Sequence, residues 1–142
     1  MIYIACDHGG FELKKKILKH LQAKKIACND LGTYSSEPVD YPDFAQKLCR
    51  KVLQTRCKGI LICGTGIGMS MAANRFKGIR AACCTNEYMA RMAIRHNNAN
   101  VLCLGGRVIG EDVAKEIIDV FLSAKFEGGR HIKRIVKFDG FE

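Results

Sequence analysis

The chain has 142 residues, a hydrophobic content of 48% and a formal net charge of +9. That length fits one domain with a real core, and no apolar run approaches the ~20 residues of a membrane-spanning helix. The 8 cysteines form no Cys-x-x-Cys pair and no zinc-type spacing with histidine, which argues against a metal centre.

The chain opens on a strand pattern, residues 2–6 (Ile-Tyr-Ile-Ala-Cys). It has no basic, signal-like start, so a cytoplasmic protein with reduced core thiols is expected. The loop Asp7-His8-Gly9-Gly10 follows. Residues 11–24 then place Leu13, Ile17 and Leu21 at helical spacing. Residues 26–29 read as a short second strand. A polar loop leads to Asp40, and Pro42 suits the first turn of a helix carrying Phe44, Leu48, Val52 and Leu53.

The centre of the chain is the stretch 58–70, Lys-Gly-Ile-Leu-Ile-Cys-Gly-Thr-Gly-Ile-Gly-Met-Ser. Residues 60–63 read as a buried strand, Gly64, Gly66 and Gly68 as a loop, and 69–75 as a helix. Strand, glycine loop and helix together aim backbone N–H groups at an anionic ligand. The spacing matches neither the Walker pattern nor a full Gly-x-Gly-x-x-Gly. Cys63 closes the strand. A thiol there has two readings, a small buried hydrophobe or a thiolate nucleophile or base.

A fourth strand is expected over 79–84, a helix over 86–96, a fifth strand over 100–104 and a helix over 113–126. The tail from 127 is basic at first and ambiguous later. Strands that are continuous apolar runs and alternate with helices predict an α/β fold, a parallel sheet covered on both faces. Ligands bind such sheets beyond the carboxyl ends of the strands. This directs attention to Asp7, His8, the Cys63–Gly68 loop, Asn86, Glu87 and Arg107. Each also has a plain structural reading: Asp7 as a helix cap, His96 as a cation favoured at a helix end, and Arg107, Arg130 and Arg134 as solvated charges.

The net charge favours polyanions or phosphorylated small molecules. Its plainer account is a solvated basic face, with Lys14, Lys15, Lys16 and Lys19 on one helix. The chain has no Trp and no aromatic stacking series, so neither nucleic acid nor a membrane is the expected partner.

Five segments in order carry a resemblance: 6–14 (Cys-Asp-His-Gly-Gly-Phe-Glu-Leu-Lys), 40–42 (Asp-Tyr-Pro), 62–70, 95–97 (Arg-His-Asn) and 128–134 (Gly-Gly-Arg-His-Ile-Lys-Arg). Together they resemble the type B ribose-5-phosphate isomerases, within a wider family of galactose- and allose-6-phosphate isomerases. The resemblance implies a single-domain, Rossmann-like three-layer sandwich of five parallel strands in the order 2-1-3-5-4. It implies a cofactor-free and metal-free aldose–ketose isomerase of the non-oxidative pentose phosphate pathway, acting on ribose 5-phosphate and ribulose 5-phosphate. It also implies a homodimer or dimer of dimers with sites between subunits.

Under that resemblance Cys63 is the base between C1 and C2. Thr65 and the amides of Gly64, Gly66, Ile67 and Gly68 hold the enediolate. His96 opens the furanose ring and Asp7 assists at the ring oxygen. His8, Arg107, Arg130 and Arg134 bind phosphate, and Tyr41 and Asn97 contact sugar. His96, Asn97 and Arg107 are the group expected to cross from the partner. One branch of the family has Gly in place of Cys63 and a Glu base in place of Met69, so this chain falls in the thiol branch. The Arg-His-Asn and Gly-Gly-Arg-His segments favour the five-carbon substrate. A six-carbon substrate and a non-catalytic phosphosugar-binding module are the alternatives.

Overall fold

The computed structural model describes all residues, Met1–Glu142. Five parallel strands, β1 (Ile2–Cys6), β2 (Cys28–Asp30), β3 (Lys58–Cys63), β4 (Ala81–Cys83) and β5 (Val101–Gly105), form one sheet in the order β2-β1-β3-β5-β4. Six α-helices surround it: α1 (Phe11–Ala23), α2 (Tyr41–Thr55), α3 (Ile67–Ala73), α4 (Glu87–Arg95), α5 (Glu111–Ser123) and α6 (Arg130–Asp139). A 3-10 turn, His8–Gly10, precedes α1. The parallel sheet covered on both faces is the one the strand–helix alternation predicts, and the strand order is the one the resemblance implies.

Side-chain alternation sorts the core into two halves. Ile2, Ile4, Cys6, Ile60, Ile62, Leu102 and Leu104 pack under α1, α4 and α5. Tyr3, Ala5, Leu61, Cys63, Val101 and Cys103 pack under α2 and α3. Strands buried on both faces must read as continuous apolar runs, which is why no polar alternation marks them. Phe121 of α5 is fully buried, a contribution of roughly 1.5–3 kcal/mol from apolar burial.

Local chemistry moves several boundaries. The second strand begins at Cys28 because the Ile26 N–H is still bonded to the Leu21 carbonyl at 2.9 Å, closing the end of α1. The fourth is shorter than expected because the Asn100 side chain takes the Arg80 N–H at 2.8 Å in place of a ladder bond. α3 starts two residues early, at Ile67, directly from Gly66, whose φ of 82° is the left-handed conformation that glycine adopts without penalty. The ambiguous tail is helical over Arg130–Asp139. Pro42 lies in the first turn of α2, as its fixed φ predicts.

Lys14 departs from the solvated reading. It is only 1% exposed, and its Nζ bonds Asp30 Oδ1 at 2.7 Å and the Thr33 carbonyl. Position 14 falls on the sheet-facing stripe of α1 between Leu13 and Ile17, so the aliphatic stem is buried and the ammonium needs partners inside. No helix is long and apolar enough to cross a membrane.

Candidate active site

The loops leaving β1, β3 and β5 meet at the carboxyl end of the sheet. The Asp7 N–H bonds the Ile62 carbonyl at 3.1 Å. Gly106 N donates to the Cys63 carbonyl at 2.8 Å, and Arg107 N to the Gly64 carbonyl at 3.0 Å. The packing is close enough that a Cβ on Gly106 would lie 2.5 Å from the Gly9 carbonyl oxygen. Only glycine allows three backbones to approach this closely.

Asp7 is buried, and its Oδ1 accepts from the N–H groups of Gly9 at 2.9 Å and Gly10 at 3.2 Å. The capping role is therefore real, and only Oδ2 is free for a sugar. His8 Nδ1 accepts the Val39 N–H at 3.2 Å. An accepting Nδ1 places the ring proton of neutral His8 on Nε2, which makes Nε2 the donor. The Tyr41 ring covers Gly68, where an added Cβ would lie 2.7 Å from the ring carbon Cζ. Thr65 Oγ1 accepts the Ile67 N–H at 3.2 Å.

Cys63 is 5% exposed, on the α2/α3 side of the sheet. Its Sγ accepts the Gly66 N–H at 3.1 Å. All eight cysteines are free. Burial pushes the thiols of Cys6 and Cys28 up to about 11 and those of Cys49 and Cys84 up to about 12. Cys103 is also raised well above the ordinary thiol value, by its burial and then by its thiol neighbours. Cys83 is raised by desolvation and then by Cys63. These thiols stay protonated near neutral pH and are poor nucleophiles.

Arg107 lies over Gly64, its Nη1 3.4 Å from where a Cβ would stand. It therefore belongs with Cys63, not with His96 and Asn97 as the resemblance implied. Asn86 caps α4, accepting the Met89 N–H at 2.9 Å. That assigns it a structural part.

His96, Asn97, Arg130 and Arg134 are elsewhere. A crossover helix leaves the carboxyl end of one strand and returns to the amino end of the next. His96 caps the C-terminus of α4, four residues before Asn100, whose carbonyl bonds Gly59 at the start of β3. His96 is thus at the amino end of the sheet, opposite the Cys63 of its own chain. Arg130 and Arg134 are exposed near it, one turn apart on α6. The candidate residues of one chain thus form two groups at opposite ends of the sheet.

The second group contains two residues, Glu127 and His131, to which the sequence assigned no role. Glu127 Oε1 is 2.6 Å from Arg95 Nη2. Glu127 Oε2 faces the Nε2 atoms of His96 at 3.7 Å and His131 at 3.4 Å. The two imidazoles stack with centroids 4.2 Å apart and planes 14° apart. Burial, and then the charges of His96 and Arg130, hold His131 below the ordinary imidazole value. Burial raises the Glu127 carboxyl, but Arg95 and the two histidines outweigh it and hold it low. The ligand atoms of His96, Glu127 and His131 lie within 4.8 Å of one another. Near-parallel rings, however, send their in-plane lone pairs side by side and not to one point, a poor fit to a metal ion. The signal available in the sequence was His131 itself, inside the Gly-Gly-Arg-His segment.

The ribose/galactose isomerase model matches residues 2–138. The chain belongs to the ribose/galactose isomerase family. Among its relatives within that family, ribose-5-phosphate isomerase B of Escherichia coli is 46% identical, with 99% of this chain and 95% of the relative aligned. The crystal structure of a ribose 5-phosphate isomerase from Thermotoga maritima superposes with a TM-score of 0.97 at 55% identity, covering 99% of this chain and 97% of the other. Ribose-5-phosphate isomerase B from Mycoplasma genitalium, solved with bound ribulose-5-phosphate, superposes at 0.92 with 48% identity, covering 97% and 93%.

Proposed function

We propose that this chain is an aldose–ketose isomerase interconverting D-ribose 5-phosphate and D-ribulose 5-phosphate through a cis-enediolate. The observation that carries the reading is Cys63, a thiol held at the mouth of the glycine loop with a backbone N–H on its sulfur, in a chain of this family. The Cys63 sulfur takes the proton from C2 of the open aldose, and the C1 carbonyl oxygen takes the negative charge. The same proton returned to C1, with the hydroxyl proton passing from O2 to O1, completes the ketose. Thr65 and the glycine-loop amides are the preorganised donors for the enediolate.

Ring opening precedes isomerisation. The C1 hydroxyl loses a proton, the C1–ring oxygen bond breaks, and the ring oxygen gains a proton. One imidazole carries both transfers, and His96 is assigned to it, with Asp7 Oδ2 facing the ring oxygen. Tyr41 and Asn97 contact the sugar. His8, Arg107, Arg130 and Arg134 take the phosphate, where guanidinium forks give paired charge-assisted bonds.

Since His96 and Cys63 stand at opposite ends of one chain, the complete site needs a second copy. A two-fold dimer in which each chain presents its α4–α6 end to the other's glycine loop supplies it twice. Ile67 and Met71 on α3, Tyr88 on α4 and Ile132 and Val136 on α6 are exposed apolar side chains, the composition of a surface that a partner covers. We place this dimer in the cytoplasm.

The test is a coupled isomerase assay on purified protein with ribose 5-phosphate, with and without chelator, beside allose 6-phosphate and galactose 6-phosphate. Turnover of ribose 5-phosphate indifferent to chelator is the expected result. Tight binding without turnover would leave only a phosphosugar-binding module, and turnover confined to a six-carbon sugar would reassign the substrate.

A further inference from the structure

We infer that Glu127 and His131 are positioning residues for His96. Glu127 catches the proton-carrying nitrogen of the His96 ring, and His131 is the plate that fixes the plane of that ring. The inference rests on the assignment of His96 to ring opening. It follows from how the three side chains are held. Glu127 is tied twice to the end of α4, by its Oε1 to Arg95 Nη2 at 2.6 Å and by its backbone N–H to the Arg95 carbonyl at 3.0 Å. His96 is the next residue after Arg95, so the carboxylate moves with it.

The remaining oxygen, Oε2, stands between two ring nitrogens and completes a hydrogen bond with neither, at 3.7 Å from His96 and 3.4 Å from His131. The His131 side chain is 6% exposed, and its buried Nε2 has no hydrogen-bond partner. A buried polar nitrogen left open is unfavourable, because its desolvation is not offset by a hydrogen bond, and Glu127 Oε2 is the acceptor within reach of both rings. Catalytic hydrogen bonds are often long before substrate binds.

Charge selects which ring carries the proton. The groups facing the pair are Glu127, Arg95 and Arg130, together with the two histidines themselves. One carboxylate, already shared with Arg95, supports one imidazolium. Two positive rings stacked at 4.2 Å would repel. His131 is the buried ring, while the His96 side chain is 37% exposed, and desolvation penalises the charged form of the buried one. His131 therefore remains the neutral plate, and Oε2 is free to close on His96 when that ring takes a proton from the sugar.

The experiment compares two substrates, ribose 5-phosphate and a four-carbon aldose phosphate. The phosphate of the latter occupies the oxygen that a furanose ring needs, so it reacts without ring opening. Glu127→Gln is expected to lower kcat on ribose 5-phosphate roughly tenfold or more, a part of the ~10²–10⁴ supplied by a general acid–base group. KM and turnover of the four-carbon substrate should change little. His131→Phe, which keeps a flat ring, should retain most of the activity that His131→Ala loses. Equal losses on both substrates in Glu127→Gln, or none on ribose 5-phosphate, would overturn the inference. His96→Asn is measured in parallel. If it spares the four-carbon substrate while Glu127→Gln does not, the inference alone fails; if it damages both substrates equally, the ring-opening assignment and the inference fail together. Should Glu127→Gln not fold, Glu127→Asp decides by the same two-substrate comparison: a loss of kcat on ribose 5-phosphate alone is expected, and equal losses on both substrates would overturn the inference.

Discussion

The Sγ of Cys63 accepts a hydrogen bond from the N–H of Gly66 at 3.1 Å. The sulfur that ends the central strand is therefore held by the loop that it serves. Gly66 can turn back toward it only through its left-handed φ of 82°.

Cys63→Ala should abolish isomerisation, a loss of at least ~10²–10⁴ for removing the base, while phosphosugar binding measured by calorimetry stays near its original strength. Alkylation should strike Cys63 and be slowed by substrate, because burial keeps Cys6, Cys28, Cys49, Cys84 and Cys103 protonated. Cys57, which is half-buried, is replaced by Ser to clear the background. Turnover near the original in Cys63→Ala would remove the thiol from the mechanism.

The proposed two-chain site has a stoichiometric signature. A Cys63→Ala chain mixed with a His96→Asn chain should form dimers with one dead site carrying both changes and one intact site. Activity should reappear on subunit exchange. Verified mixed dimers that remain inactive would place both residues in one chain's site, against the topology.

Arg107→Ala and Arg134→Ala should each raise KM for ribose 5-phosphate by roughly 1.5–3 kcal/mol of lost charge-assisted bonding. Unphosphorylated ribose should be a poor substrate of the unmodified enzyme. An unchanged KM in both variants would return the two arginines to the solvated surface.

Lys14 gives a stability test away from chemistry. Asp30→Ala removes its carboxylate and leaves the ammonium inside, at a cost of about 2–4 kcal/mol, less than a fully buried pair because Asp30 is 27% exposed. Lys14→Met keeps the apolar stem and removes the charge, so it should cost less. Urea unfolding measures both, and the reverse ranking would show that the pair is not what holds Lys14.

Stability should also depend on pH in two windows. His131 has a folded value below its unfolded value of 6.5. The unfolded chain binds that proton first, so stability present above about pH 6.5 falls as pH drops toward the folded value. His131→Phe should flatten this part of the curve. Asp119, held low by Lys24 and His20 against the cost of burial, and Glu127 are carboxylates with depressed values. Their contribution is present above the unfolded values of 3.8 and 4.5 and is lost as pH falls through the folded ones. Thermal melts from about pH 3 to about pH 8, which spans the ordinary carboxylate and imidazole values, measure both windows.

Strand and helix alternation, the glycine loop after β3 and the Asp7 cap were legible in the sequence, because each depends on neighbours within a few residues. Boundaries slipped where a distant group intervened, as when the Asn100 side chain replaced a ladder bond at Arg80. The end of the sheet at which His96 stands follows from the return path of α4, a property of topology that residue type does not encode. Arg107 went to Gly64, and Lys14 went inside, because side-chain direction and burial depend on packing across layers. The carboxylate of Glu127 between His96 and His131 joins a helix end to the turn before another helix, and only the folded chain brings them within reach. Local pattern thus set the elements and the glycine loop. Long-range packing decided which charged groups share a site, since the desolvation and Coulomb energies that sort them exist only once the layers close.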